Sequence, residues 1–287
     1  MSFEYIKPES LKNASELLKE YGEDAHLIAG GTDLLVQIKD GDVQPQYLID
    51  LKSIKDELDY IDLDRDALRI GSGCTLSEIL RSEVVRDKCN VLFQAVREMG
   101  SVQIRNIATV GGNICNASPA ADTATPLLVL NAEVKIVSED GERLVPLDEF
   151  FEGPSAMVLS EGEILSEVII PEFSFEGEDN FLKQKRRKAF SLAVVNSAFK
   201  IFEKDGLCEE VRIGLGAVAP TPIRASQAED YLEGREINVE NIEKTAESAQ
   251  ELCTPITDVR ACGEYRNELI YSLVKKGLSE LVGLSMD

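Results

Sequence analysis

The sequence contains no tryptophan and a single histidine, His26. One histidine excludes a histidine-rich metal site and leaves a Ser-His-Asp hydrolase with only His26 as its base. The six cysteines, at 74, 89, 115, 208, 253 and 262, include no C-x-x-C pair. Zinc and iron–sulfur sites need closely spaced thiolates, so no self-contained metal site is expected, and the cysteines read as reduced thiols in a reducing compartment. Long apolar runs are missing as well. The longest, residues 125–132, is far short of the roughly 20 residues that span a bilayer. Met1-Ser2-Phe3-Glu4 lacks the basic start and apolar run of a signal peptide, which points to the cytoplasm. Basic residues are the last scarcity: 30 Lys and Arg against 52 Asp and Glu give a net charge of −22. Nucleic acid and anionic membranes both require clustered cations, so neither is an expected partner.

What is present is an ordinary hydrophobic fraction of 44% in 287 residues, enough for about two domains. Residues 3–7 read as a strand. Pro8 and Ser10 open a helix with Leu11, Ala14, Leu17, Leu18 and Tyr21 on one face, and Gly22 closes it. A strand at 26–29, a tight Gly30-Gly31 turn and a helix through Leu34, Leu35 and Ile38 follow, with Thr32 as the expected N-cap. Gly41 ends that helix, and 47–51 returns as a strand. Further on, 67–71 reads as a strand, and Thr75-Leu76-Ser77-Glu78 fits a capping box. Residues 84–99 have helical spacing, and 109–113 reads as a strand interrupted by Gly111-Gly112. Residues 121–131 read as a helix despite Pro126, and 133–137 and 164–170 as strands. The acidic stretch 172–179 after Pro171 has the composition of a linker. Beyond it, 192–202, the turn Lys204-Asp205-Gly206 and 210–218 form a hairpin, followed by helices near 225–234, 238–252 and 262–282. Strands followed by helices predict an α+β fold and argue against a doubly wound parallel sheet.

Chemistry concentrates at two Gly-Gly pairs, 30–31 and 111–112, each after an apolar run. Such turns present backbone N–H groups with no Cβ in the way, which suits an anion. The second pair leads into Asn113, Asn116, Ser118 and Asp122, short polar groups able to hold a phosphate or a sugar hydroxyl. Two ordinary turns are the alternative reading. There is no G-x-x-x-x-G-K-[ST], and Gly71-Ser72-Gly73 lacks the third glycine of a Rossmann fingerprint. The residues alone therefore reach a phosphate-bearing cofactor held by neither standard loop. The run 183–188, five cations in six residues, is the one concentrated source of positive charge; a solvated strand end is its alternative. The acidic pairs, such as Glu209-Glu210, read as a solvated face.

The motifs Leu27-Ile28-Ala29-Gly30-Gly31-Thr32-Asp33-Leu34 and Thr109-Val110-Gly111-Gly112-Asn113-Ile114, the latter followed by Ala117-Ser118-Pro119-Ala120-Ala121-Asp122, resemble the two flavin motifs of a known family. It is the FAD-binding medium subunit of the molybdenum hydroxylases, the xanthine dehydrogenase and carbon monoxide dehydrogenase group. Phe181-Leu182-Lys183-Gln184-Lys185-Arg186-Arg187, Gly214-Leu215-Gly216-Ala217-Val218-Ala219-Pro220-Thr221-Pro222-Ile223-Arg224 and Tyr265-Arg266 are similar to that subunit's C-terminal domain.

The resemblance implies a two-lobed FAD-binding domain of the PCMH type, with lobes at 1–55 and 56–173, and a C-terminal α+β domain at 180–287. It implies that the backbone at Ala29, Gly30, Gly31, Thr32, Asp33 and Leu34, beside Ile28, binds the pyrophosphate. Thr109, Val110, Gly111, Gly112, Asn113 and Asp122 would hold the ribityl and phosphate region, with Ala117, Ser118 and Ala121 beside them. Met99 or Gly100, Ile104 and Leu165 would lie along the ring system or the adenine. Lys183, or Lys185 two residues on, would approach the flavin. No metal ligand and no catalytic residue is implied in this chain.

On the same resemblance, the [2Fe-2S] clusters and the molybdopterin cofactor belong to a small iron–sulfur subunit and a large molybdopterin subunit. Electrons would leave for an acceptor such as NAD or ferredoxin. A stand-alone flavin oxidoreductase of the same domain type is the alternative, and a covalent histidine or an identifiable base would mark it.

Overall fold

The computed structural model describes residues 3–187 and 191–284. The first helix forms where its cap predicts: Ser10 Oγ accepts the Asn13 N–H at 3.1 Å, and Leu11–Tyr21 follows with Leu11 and Ala14 buried. It crosses a three-stranded parallel sheet in which Tyr47–Asp50 lies between Glu4–Ile6 and Ala25–Ile28. Alternation along the central strand sends Ile49 toward Leu11 and Ala14, while Leu48 faces Ile28 and Ile38 of the helix Leu34–Asp40. Strand period thus buries both faces of a small sheet.

A five-stranded antiparallel sheet follows, in the order Ile61–Leu63, Ala67–Gly71, Ile164–Pro171, Glu133–Ser138, Gly141–Pro146. Leu68, Ile70, Val134, Ile136, Val168 and Ile170 build its core with the helices Leu76–Arg81, Asn90–Arg97 and Ala124–Val129. The capping box is formed, the Thr75 and Glu78 side chains each bonding the other's backbone N–H. A third sheet, Glu178–Lys185, Ala193–Lys204, Leu207–Gly216 and Ile223–Arg224, is antiparallel and carries the helices Ser226–Leu232, Val239–Leu252 and Gly263–Leu281. Gly277 lets the last helix lie flat on the sheet, because a Cβ there would stand 2.2 Å from the Phe199 ring. The α+β prediction holds, with parallel pairing confined to the first three long-range strands. Among the described residues no helix is long and apolar enough to cross a membrane.

Four local expectations are corrected. Residues 109–113 are not a strand: Thr109 is an N-cap whose hydroxyl accepts the Gly112 N–H at 3.0 Å, and Val110–Cys115 is helical. Thr32 is not a cap, because the second helix starts at Leu34 behind Asp33 without a side-chain cap bond. The pattern over 84–99 divides into Glu83–Lys88 and Asn90–Arg97, broken at Cys89 where φ is −134°. The acidic stretch after Pro171 is no free linker. It makes a short turn at Glu172–Ser174 and enters the strand Glu178–Lys185, which buries Phe181 in the second core.

Candidate cofactor site

In the parallel sheet Ile28 pairs with Asp50, so the chain leaves two adjacent strands at the same carboxyl edge. That edge is where open sheets with parallel strands receive ligands. The turn after Ile28 needs Gly31, whose φ of 68° is left-handed. The N–H groups of Gly31, Thr32 and Asp33 donate to no group among the described residues and are free for an acceptor. Opposite them, Val110 N–H bonds the Cys74 carbonyl and Gly111 N–H the Ser72 carbonyl, both at 3.0 Å, which fixes the second glycine pair on the antiparallel sheet. A cavity of about 600 Å³ opens between the two turns, within the usual range for an organic cofactor.

Of the residues expected at the site, Ile28, Ala29, Gly30, Gly31, Thr32, Asp33, Leu34, Met99, Gly100, Ile104, Thr109, Gly111, Gly112, Asn113, Ser118, Ala121, Asp122 and Leu165 all line this cavity. Three do not. Val110 points into the core and is fully buried. Ala117, at φ 45°, is buried and lends its carbonyl to Ser155. Lys183 stands behind the wall on Asp122. Asn116, named with the polar groups after the second glycine pair, also lines it, and so do Leu51, Lys52, Lys55, Leu58, Ser72, Gly73, Ala108, Cys115, Leu159, Ile164, Ser191 and Leu192, which were not anticipated. For 51–55 a signal existed, since any segment leaving a strand parallel to 26–29 must emerge beside the Gly30-Gly31 turn. Ala108, Cys115 and Ile164 adjoin anticipated residues, whereas Leu58, Ser72, Gly73, Leu159, Ser191 and Leu192 come from other segments with no local mark.

Gly30 and Gly111 also have a packing role. A Cβ on Gly30 would lie 2.2 Å from the Ile107 carbonyl oxygen, and one on Gly111 would lie 2.5 Å from Ser72 Cβ. Their missing side chains let segments of the cavity wall approach each other closely. Gly112 is exposed, and a Cβ there meets only Thr109 Oγ1, at 3.0 Å.

Charge at the site is largely neutralised from within. Asp122 is buried, which holds its carboxyl above the ordinary range, while Lys183, 2.6 Å away, works against that rise. Asn196 donates to the other Asp122 oxygen at 3.1 Å. Thr123 Oγ1 donates to Asn113 Oδ1 at 2.6 Å, fixing an amide beside the glycine pair. Of the basic run, Lys183 and Lys185 pair with Asp122 and Glu98 and the exposed Arg186 donates to the Val259 carbonyl at 2.8 Å, while Lys188 lies outside the described residues. Burial pushes the Cys115 thiol up to about 12, so it stays protonated and is no nucleophile. Among the described residues no acid–base dyad faces the cavity. Free N–H groups, neutral amides and an apolar trough fit an elongated dinucleotide carrying a diphosphate, as FAD does.

The model for the FAD binding domain in molybdopterin dehydrogenase matches residues 1–173, and that for the CO dehydrogenase flavoprotein C-terminal domain matches residues 180–281. The chain belongs to the FAD-binding medium subunits of the molybdenum hydroxylases. It is 34% identical to the xanthine dehydrogenase FAD-binding subunit of Escherichia coli O157:H7, over 97% of this chain and 95% of that one. It is 31% identical to the nicotinate dehydrogenase FAD-subunit of Eubacterium barkeri, over 96% and 94%. The medium-subunit fold extends along the whole length: carbon monoxide dehydrogenase from Hydrogenophaga pseudoflava superposes with a TM-score of 0.95 at 31% identity, covering 99% of this chain and 98% of that one.

Proposed function

We propose that this medium subunit binds FAD in the cavity between the two glycine turns and carries electrons from the [2Fe-2S] clusters of a small partner subunit to an external acceptor. The observation that carries the reading is the convergence of 18 anticipated residues, drawn from segments far apart in sequence, on one cavity. Bound FAD supplies the conversion between one-electron and two-electron transfer. The chain's own part is binding and orientation. Gly31, Thr32 and Asp33 offer N–H groups to the diphosphate, and Asn113 and Asp122 offer polar contacts to the ribityl chain. Met99, Ile104 and Leu165 shield the flat rings from water. The lobes at 1–55 and 56–173 grip the cofactor, and the domain at 180–287 buttresses it through Lys183.

Substrate hydroxylation then falls to a large molybdopterin subunit, as membership of the medium-subunit family implies. The acceptor is of the NAD or ferredoxin type. Six free cysteines are consistent with a cytoplasmic setting. The test is direct. Expressed with its two partner subunits, the chain should co-purify with them, and the visible spectrum should show flavin released by denaturation as FAD. A chain that stays colourless after reconstitution with FAD overturns the reading, and so does a monomer that oxidises an organic substrate unaided.

A further inference from the structure

Among the described residues four charged side chains line the cavity: Asp33, Lys52, Lys55 and Asp122. Asp122 is matched by Lys183, and the basic run is spent on Glu98 and the Val259 carbonyl. Lys183, Lys185 and Arg186 are thus already engaged by protein groups, and Lys188 lies outside the described residues. Asp33, Lys55 and Lys52, the last 3.6 Å from Asp50, remain. A protein of net charge −22 repels a diphosphate at long range, but salt screens such fields within about 8 Å, so nearby charges decide.

We propose that Lys52 and Lys55 are the cationic half of the diphosphate site, an inference that rests on the FAD reading above. The register places them. Ile28 and Asp50 are paired neighbours at the carboxyl edge, so 51–55 emerges beside the turn bearing the free N–H groups of Gly31, Thr32 and Asp33. Asp50 anchors the segment. Its carboxylate is nearly buried, accepts the Lys52 N–H at 3.1 Å and stands 3.6 Å from Lys52 Nζ. Ser53 Oγ ties the same turn to the Pro8 and Asp50 carbonyls at 2.8 and 2.9 Å. Lys55 begins the next helical turn, Lys55–Leu58, and has no carboxylate partner among the described residues. A fixed turn therefore carries two lysines in the cavity lining, beside a row of N–H donors. A diphosphate bound there receives directed hydrogen bonds from the N–H groups and charge from the lysines.

The test compares FAD affinity, read by flavin fluorescence, in the wild-type chain, in Lys52→Met/Lys55→Met and in Lys12→Met/Lys88→Met. The last pair removes the same charge from exposed positions away from the cavity. Two ammonium groups near a diphosphate in a solvent-exposed setting predict affinity about 30-fold weaker in the first variant. The second should stay within about twofold of wild type. The decline of FAD affinity with added salt should be steep in wild type and flatter in the first variant. Equal affinities in the two double variants overturn the proposal. So does a weakened first variant with an unchanged salt dependence, because lost packing leaves that slope alone. A wild-type chain that takes up no FAD overturns the FAD reading and this inference with it.

Discussion

Lys183 Nζ stands 2.6 Å from Asp122 Oδ2, with the two side chains only 2% and 6% exposed. The lysine belongs to the first strand of the third sheet and the aspartate to the cavity wall, so one buried ion pair couples two parts of the molecule separated by 61 residues. Lys183 also donates to the Glu98 carbonyl at 3.3 Å, and Asn196 completes the carboxylate's shell. The polar groups are satisfied, which is the condition for keeping a charge pair out of water.

Lys183→Met should therefore cost about 3–5 kcal/mol, because it strands a buried carboxylate. Burial already holds the Asp122 carboxyl above its ordinary value, and losing the lysine raises it further. A raised carboxyl pKa penalises the folded state only where the unfolded chain is ionised. The deficit should thus open as pH rises above about 4 and be absent below it. Urea unfolding across pH 3–8 checks this. Adding Asp122→Asn should recover part of the loss, and a double variant no more stable than Lys183→Met would show that the ion pair is not the cause.

Whatever depended on neighbours in sequence was legible. The Thr75–Glu78 capping box, the hairpin around Asp205-Gly206 and the three C-terminal helices could all be read from spacing. Thr109 carried a cap signal too, but Val110 and the glycine pair imitate a strand interrupted by a turn, and the helix was missed. Long-range partners could not be read. Nothing near Lys183 announces Asp122. The site glycines were found for an incomplete reason, since Gly30 and Gly111 face protein atoms.

That distinction is measurable. Gly30→Ala and Gly111→Ala should each destabilise the fold by roughly 1–3 kcal/mol or more, because the new methyl meets backbone or a Cβ that cannot swing aside. Gly112→Ala, with only Thr109 Oγ1 nearby, should stay within about 1 kcal/mol of wild type and lower the flavin-to-protein ratio instead. Thermal melts paired with flavin content separate the two classes. A Gly30→Ala chain as stable as wild type would refute the close approach to Ile107.

Asp258 should govern acid stability in the C-terminal part. Burial pushes its carboxyl up, but hydrogen bonds from Arg260 and Arg266 outweigh this and hold it well below the usual carboxylate range. Arg266 is fully buried and bonds the Val194 and Ala217 carbonyls at 2.8 and 3.0 Å, so the aspartate fixes a guanidinium that ties sheet to helix. A lowered carboxyl pKa contributes stability that is complete above the unfolded value and is lost as pH falls below about 4. Asp258→Asn, an isostere of the protonated acid, should be less stable than wild type at pH 7, and the gap should narrow below pH 4. A gap independent of pH would mean that the carboxylate charge plays no part.

His26 offers the opposite sign. Its Nδ1 is buried without a hydrogen-bond partner among the described residues, and burial lowers its pKa below the ordinary histidine value. An unfolded chain takes up the proton first as pH falls through about 6.5, so the wild type loses stability on that side. His26 pairs in register with Leu48 on the parallel sheet, the face that also buries Ile28. A leucine there keeps the strand apolar and removes both the unpaired nitrogen and the titration. His26→Leu should raise the melting temperature, by an amount corresponding to roughly 1 kcal/mol at pH 8, and by more at pH 5. An increase that is the same at both pH values would show that the imidazole protonates as readily in the folded chain as in the unfolded one.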